Sequence, residues 1–267
     1  MAEKYDVKFK KKFGQNFLKN IDIVDKIVDA AEITSKSLVI EVGPGGAIMT
    51  RELARVADNV LAYEIDLDLK DELVSRLAEF NNVNVLFQDF LNSNLCSDVS
   101  KYDYENLYFV SNVPYYITTP IILKLINANL HFKKIVMMVQ KEVGERFTTG
   151  PGSKDYGSIS VLLQYYFDAK IEFFVPRCEF VPEPNVDSVV VSFVEKEFRP
   201  DLKNFSFFEK VIHDSFQFKR KNIKNNLKNY DLEIVSNLLE KYGFDLNCRA
   251  EVLPVMFFVD LANVLSK

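Results

Sequence analysis

Ser111-Asn112-Val113-Pro114-Tyr115-Tyr116 follows Leu107-Tyr108-Phe109-Val110, a short apolar, aromatic run that reads as a buried strand. Proline cannot donate to a ladder, so a sheet is not continued through this stretch. The residue types suit the holding of a planar amine instead. The side-chain oxygen of Asn112 and the carbonyl before Pro114 can each accept one N–H, and the Tyr115 ring can stack on the attached heterocycle. An exocyclic adenine amine is such a group. The plain rival is a strand-end turn with a structural Asn and two core tyrosines.

A second constellation lies upstream. Glu41-Val42-Gly43-Pro44-Gly45 joins a strand to a helix, and glycines there allow a tight turn and close approach of a ligand to backbone amides. Pro44 removes an N–H that a pyrophosphate would use, so a cofactor without phosphate fits better. About 20 residues on, Glu64 stands where an acid meets ribose hydroxyls. Asp89 ends the next strand, where it can accept from an adenine amino group. Together these describe a pocket for a nucleoside with a polar, positively charged tail, such as S-adenosylmethionine. The rival is a fold turn with incidental carboxylates. A nicotinamide dinucleotide is disfavoured because no G-x-G-x-x-G is present.

The elements that must position these residues alternate between strand and helix. Strands are expected at 37–42, 60–63, 83–87, 107–110 and 134–139, with a closing pair at 171–175 and 188–193. Helices are expected at 22–31, 47–57, 67–80, 120–128, from 141 to 147 and at 158–167. This order implies βαβ units and a mostly parallel sheet. Ligands bind such sheets beyond the carboxyl ends of the strands, and Glu41, Gly43, Glu64, Asp89 and Asn112 all fall there. After about Lys196 the pattern is helical only, at 205–215, 222–227, 232–242 and 254–265. The expected division is a catalytic domain over 1–197 and a small helical domain over 198–267.

Composition bounds the rest. The 267 residues are 48% hydrophobic and 13% aromatic, which supports a sizeable core. No apolar run reaches the 18 or so residues of a membrane span, and Met1 to Lys12 is charged rather than a secretory leader. Cys96, Cys178 and Cys248 have no metal spacing and form no ligand set with His131 and His213, so no metal is expected and a reducing cytoplasm fits. The net charge of -5 argues against a uniformly basic nucleic-acid binder and directs attention to two local patches. One is Lys8, Lys10, Lys11 and Lys12; the other is Lys219, Arg220, Lys221, Lys224 and Lys228. The bland reading of each is a solvated face.

With these segments assembled, the sequence resembles the ribosomal RNA adenine N6-dimethyltransferases of the small-subunit type over nearly its whole length. The resemblance rests on Gly14-Gln15-Asn16-Phe17-Leu18, Glu41-Val42-Gly43-Pro44-Gly45, Glu64-Ile65-Asp66, Gln88-Asp89-Phe90 and Asn112-Val113-Pro114-Tyr115. It extends through residues 139–146, Tyr156-Gly157-Ser158-Ile159-Ser160 and residues 180–189. The tail joins with Phe216, Lys219-Arg220-Lys221, Asn225, Leu227 and Arg249-Ala250-Glu251 with Leu253. The resemblance implies a Rossmann-like, seven-stranded methyltransferase sheet with a small C-terminal helical domain. It implies cofactor contacts at Asn16, Leu18, Gly43, Glu64, Asp89 and Asn112. It further implies two methyl transfers to each of two adjacent adenosines near the 3′ end of small-subunit (16S) rRNA, late in subunit assembly, by a cytoplasmic monomer. One departure is Ala47, where the family's loop usually has a further Gly.

On that reading Asn112, Pro114 and Tyr115 carry catalysis, and Tyr115 stacks on the flipped-out base. Phe180 either closes the base's other face or is a core residue. Gln15 and Phe17 form a lid over the cofactor, and Lys219, Arg220, Lys221 and Lys224 contact phosphates. The rivals are the related large-subunit rRNA methyltransferase of the macrolide-resistance type, a DNA adenine methyltransferase, and an assembly factor that kept the fold with little catalysis. Residues 182–188 and Arg249-Ala250-Glu251 fit the small-subunit type better than the first. The second more often has Pro-Pro before the aromatic, and intact Glu64, Asp89 and Asn112 argue against the third.

Overall fold

The computed structural model describes residues 16–266. A two-residue strand, β1 (Phe17–Leu18), leads into α1 (Ile21–Ala31). Asn20 caps that helix by accepting the Asp22 N–H at 3.1 Å, and Val24, Ile27, Val28 and Ala31 form its buried stripe. The chain then alternates through β2 (Ser37–Val42), α2 (Ile48–Val56), β3 (Asn59–Tyr63), α3 (Lys70–Arg76), β4 (Val83–Leu86), α4 (Leu95–Val99), β5 (Asn106–Asn112), α5 (Thr118–Asn127) and β6 (Lys134–Gln140). Helices α6 (Lys141–Thr148) and α7 (Ser158–Tyr166) follow, then β7 (Phe167–Val175), β8 (Phe180–Val181) and β9 (Ser188–Glu195). The remainder is helical: α8 (Phe205–Phe216), α9 (Ile223–Asn226), α10 (Leu232–Lys241) and α11 (Val255–Leu265).

Seven strands form one sheet in the order β4-β3-β2-β5-β6-β9-β7. From β4 to β6 the neighbours run parallel, and β9 pairs antiparallel to β6. The strand order reverses between β2 and β5, which opens a crevice at their carboxyl ends. β2 is buried along its whole length, as its near-continuous apolar run requires of a central parallel strand. On one face, Val39, Val60, Tyr108, Val110, Val136, Met138 and Val190 pack with the apolar stripes of α1 and α2. On the other, Tyr63 and Phe109 meet the Phe90 ring at 5.1 and 6.1 Å between centroids.

Outside this sheet, β1 and β8 make a separate antiparallel pair that joins Phe17 to Val181 and Leu18 to Phe180. The Lys19 N–H donates to the Glu179 carbonyl at 3.0 Å, and Asn20 Nδ2 donates to Glu179 Oε2 at 3.1 Å. The start of the described chain is thus stapled to residues 179–181.

The chain divides into two compact units, though not at a single cut after residue 197. One unit runs to Gly144 and resumes over Lys170–Glu195; the other holds Glu145–Ala169 and everything from Lys196. The reason lies in α7. Its flanking aromatics pack onto α8, with Tyr165 against Phe208 at 5.1 Å, Tyr166 against Phe205 at 5.7 Å and Tyr156 against Phe216 at 6.0 Å. Helical periodicity shows that this segment has an apolar face but not which neighbour covers it. The expected helix over 67–80 also differs. It opens as a single 3-10 turn at Leu67–Leu69, where Asp66 accepts the Asp68 N–H, before α3 begins.

Gly144 in α6 sits hard against β9. A methyl built on it would overlap Val189 Cγ2 and come within 3.0 Å of Val191 Cγ2. Both valines are fully buried, and β-branched side chains turn poorly about χ1. Gly144→Ala therefore loses more by overpacking than it gains in helix propensity. Its expected cost is about 1–2 kcal/mol, read as a lower urea midpoint at constant m-value. An unchanged midpoint would show that β9 yields instead.

Candidate active site

The β2–α2 loop forms the floor of the site. Gly43 N–H donates to the Tyr63 carbonyl at 2.8 Å, and Ala47 N–H to the Pro44 carbonyl at 2.8 Å. Gly45 has φ +53°, and a side chain there would overlap the Phe17 ring. Glycine is thus required at this position both by its backbone angle and by Phe17. Ala47, the departure from the family's loop, also lies in the left-handed region at φ 62°. For alanine that costs roughly 1–2 kcal/mol, and burial against Leu69, Leu73 and Leu77 accompanies it.

Glu64, 4% exposed, turns back onto this loop. Its Oε2 accepts the Gly45 N–H at 3.2 Å and its Oε1 the Asp66 N–H at 2.8 Å. Burial pushes its pKa up, and the backbone N–H groups oppose that shift. Asp89 holds the turn after β4, accepting the Leu91 N–H at 2.9 Å and the Asn92 side-chain amide at 2.7 Å.

At the end of β5, Ser111 Oγ donates to the Val42 carbonyl at 2.7 Å and fastens the strand to β2. Asn112 Nδ2 donates to the Asn16 carbonyl at 3.3 Å. That bond fixes which way the amide faces, and Oδ1 has no partner among the described residues. Val113 N–H donates to the Met138 carbonyl at 3.3 Å, and the Pro114 carbonyl accepts from Ile117 at 3.1 Å. Tyr115 Oη and Ser188 Oγ share a hydrogen bond of 2.7 Å, so this ring is pinned at both ends. Tyr116 is 56% exposed.

These groups converge. A cavity of about 360 Å³ is lined by Asn16, Leu18, Gly43, Glu64, Asp89, Asn112, Pro114 and Tyr115, which are all the cofactor and catalytic residues expected from the sequence. Its volume lies in the range of small-molecule sites, roughly 300–1,000 Å³. Phe17 lines it with its ring over Gly45. Gln15, Lys8, Lys10, Lys11 and Lys12 lie outside the described residues.

Phe180 is a correction. It is 2% exposed, packs in the core cluster with Leu18, Val24 and Val175, and is absent from the cavity wall. Its ring is taken up by that core packing and presents no face to a base in the cavity. Lys219, Arg220, Lys221 and Lys224 are exposed on the second unit and make no ion pair among the described residues.

Glu41, which the sequence places at the ligand edge without giving it a role, stands on the wall of the same cavity. It is 1% exposed, and its Oε2 has no hydrogen-bond partner among the described residues. Burial, with the nearby Glu64 adding to it, pushes the carboxyl up to about 8. The sequence signal was present, because an acid inside Leu38-Val39-Ile40-Glu41-Val42 interrupts an otherwise apolar buried strand. Glu41, Glu64 and Asp89 make the cavity acceptor-rich. It suits a ligand that brings positive charge and N–H or O–H donors, as a sulfonium nucleoside with an amino-acid tail does.

A crevice at this switch point, walled by acids and edged by Asn-Val-Pro-Tyr, is that of a Rossmann-like, S-adenosylmethionine-dependent methyltransferase. In shape the chain is similar to a dimethyladenosine transferase from Plasmodium falciparum, with a TM-score of 0.76, 28% identity, and 91% of this chain and 95% of that one covered. It is also similar to the 23S rRNA methyltransferase ErmE, with a TM-score of 0.72, 26% identity, and 94% and 100% covered. The profile of the ribosomal RNA adenine dimethylase family matches residues 6–267, and the chain belongs to that family. Proteins named ribosomal RNA small subunit methyltransferase A are 42% identical over all of this chain, among them those of Latilactobacillus sakei, covering 93% of that protein, and Streptococcus gordonii, covering 95%.

The buried acid has a pH signature. An ordinary carboxyl near 4.5 binds its proton more tightly here, up to about 8, so folding takes up a proton between those values. Stability from this source is complete below about 4.5, falls as pH rises toward 8, and is level beyond. Glu41→Gln removes the dependence, while Glu64, shifted in the same direction, retains its own share in both proteins. Unfolding midpoints without cofactor should therefore diverge in favour of the variant from pH 5 to 8.5. Parallel curves would show that Glu41 ionises normally.

Proposed function

We propose that this chain transfers methyl groups from S-adenosylmethionine to N6 of two adjacent adenosines near the 3′ end of small-subunit rRNA. Each adenosine receives two, in the late assembly of the subunit. The observation that carries this reading is the tethered amide of Asn112, whose oxygen has no partner among the described residues and stands on the wall of an acid-lined cavity.

The residues that would hold the cofactor are Asn16, Leu18, Gly43, Glu64, Asp89 and Asn112, with Glu41 on the same cavity wall. Bound there, S-adenosylmethionine supplies an electrophilic methyl on sulfur. Adenine N6 is a poor nucleophile because its lone pair is conjugated with the ring. Asn112 Oδ1 and the Val113 carbonyl accept its two hydrogens, which favours a more tetrahedral nitrogen and aims the lone pair. Preorganised acceptors and in-line placement supply most of the barrier lowering. No strong base is needed, since the amine becomes acidic only as the new bond forms. Tyr115, held by Ser188, offers a ring for stacking, and the exposed Tyr116 stands beside it on the cavity wall. After the first transfer one acceptor is left without a hydrogen, and the pocket must admit a methyl group.

The test is mass spectrometry of rRNA fragments after incubation with unmethylated small and large subunits and labelled cofactor. Two methyls on each of two neighbouring adenosines are expected; label confined to large-subunit rRNA would overturn the assignment. Asn112→Ala should lower kcat/KM by about 10²–10³-fold with the fold intact. Activity within a fewfold of the parent would remove the amide from the reaction. Replacing Lys219, Arg220, Lys221 and Lys224 with Ala should weaken RNA binding and flatten its logarithmic salt slope by roughly 3, while cofactor affinity stays. An unaltered slope would take these side chains out of the RNA contact.

A further inference from the structure

The turn after α8 carries an aromatic ring that the fold does not use. Phe218 is 55% exposed. Its backbone, however, is held. The Phe218 N–H donates to Asn226 Oδ1 at 3.2 Å, while Asn226 Nδ2 donates to the Ser215 carbonyl at 2.7 Å and the Phe218 carbonyl at 3.4 Å. The Lys221 N–H closes the turn on the same Phe218 carbonyl at 2.8 Å. Asn226 is itself buried, at 8% exposure, so the clamp is part of the helical unit's interior. A loose loop would let an apolar ring fold inward. This one is fixed with the ring outward.

The surroundings say what would cover it. Lys219, Arg220, Lys221, Lys224 and Lys228 are all exposed, and none has an ion-pair partner among the described residues. In a chain of net charge -5, five unneutralised cations between residues 219 and 228, directly after an exposed planar ring, are a local departure. A flat π-face and phosphate-binding cations side by side match one ligand chemistry, a nucleotide with an unstacked base. Duplex bases are closed to such a ring, whereas single strands stack on it without regard to sequence.

We propose that Phe218 is a base-stacking residue for an unpaired stretch of RNA, whose flanking phosphates lie on Lys219, Arg220, Lys221 and Lys224. The proposal rests on the reading of those four cations as phosphate contacts and adds a contact to the base itself. It assigns two separable effects to one turn. The cations set the salt dependence, and the ring sets affinity at any salt and restricts the site to single strands.

The experiment uses the full chain with a single-stranded oligoribonucleotide carrying 2-aminopurine, and a duplex of the same sequence. Phe218→Leu keeps the apolar bulk and removes the π-face, and Phe218→Tyr restores it. Phe218→Leu should lose about 5- to 100-fold in affinity for the single strand, with the salt slope kept and the probe's quenching lost. Phe218→Tyr should behave as the parent, and duplex binding should be the same in all three. Parent-like single-strand affinity and quenching in Phe218→Leu overturn the proposal, as does an equal loss on the duplex. If the four-alanine variant flattens the salt slope while Phe218→Leu changes nothing, stacking alone fails. If neither change has an effect, the phosphate reading fails with it.

Discussion

The side chain of Asn112 has a donating end and an accepting end, and a methyl acceptor of the adenine type can use only the second. The fold settles the choice by giving Nδ2 the carbonyl of Asn16. Asn16 in turn precedes β1, which is held by pairing with β8 and by the two bonds to Glu179. The orientation of the Asn112 amide therefore depends on a strap that lies 96 residues away in sequence. Phe180, expected as a clamp on the base, anchors the strap from inside the core. Its contribution to the site is positional, through Leu18 and Asn16.

The second constraint is electrostatic. Two acids, Glu41 and Glu64, are almost wholly buried at the cavity, and burial raises the pKa of both. Glu64 is compensated by backbone N–H groups, but one oxygen of Glu41 is not. A buried acceptor without a partner is costly to the empty protein, and a cationic ligand relieves that cost. At neutral pH burial favours the protonated form of Glu41, and a cationic ligand beside it favours the charged form instead, which ties binding of positive charge to release of a proton.

Much of this was legible in the sequence because strands in a parallel sheet are buried on both faces. Val-Ile-Leu runs such as Leu38-Val39-Ile40 mark them plainly, and the first non-apolar residue after each run falls at the ligand edge. Glu64 follows its run directly, and Asp89 and Asn112 lie one residue further on. That logic fails where local pattern carries no information about partners. The periodicity of α7 is the same whether its aromatics meet the sheet or α8. The β1–β8 pair, at two residues a strand, is too short to show alternation. Glu41 stands at that edge too, but sequence pattern does not show that its carboxyl is buried and short of a partner. Phe180 could not be resolved at all, since a buried ring and a stacking ring look alike in a Phe-rich chain.

The polypeptide leaves the first compact unit after Gly144, returns at Lys170 and departs again after Glu195. The helical unit is consequently not an appendage that could be clipped off or exchanged as a cassette. Ending the chain at the close of β9 would strip the cover from Tyr156, Tyr165 and Tyr166, aromatics contributed by the earlier excursion. During synthesis those rings emerge long before α8 exists to receive them. A growing chain must carry that sticky surface until α8 has been made, which leaves nascent copies exposed to chaperones and to one another.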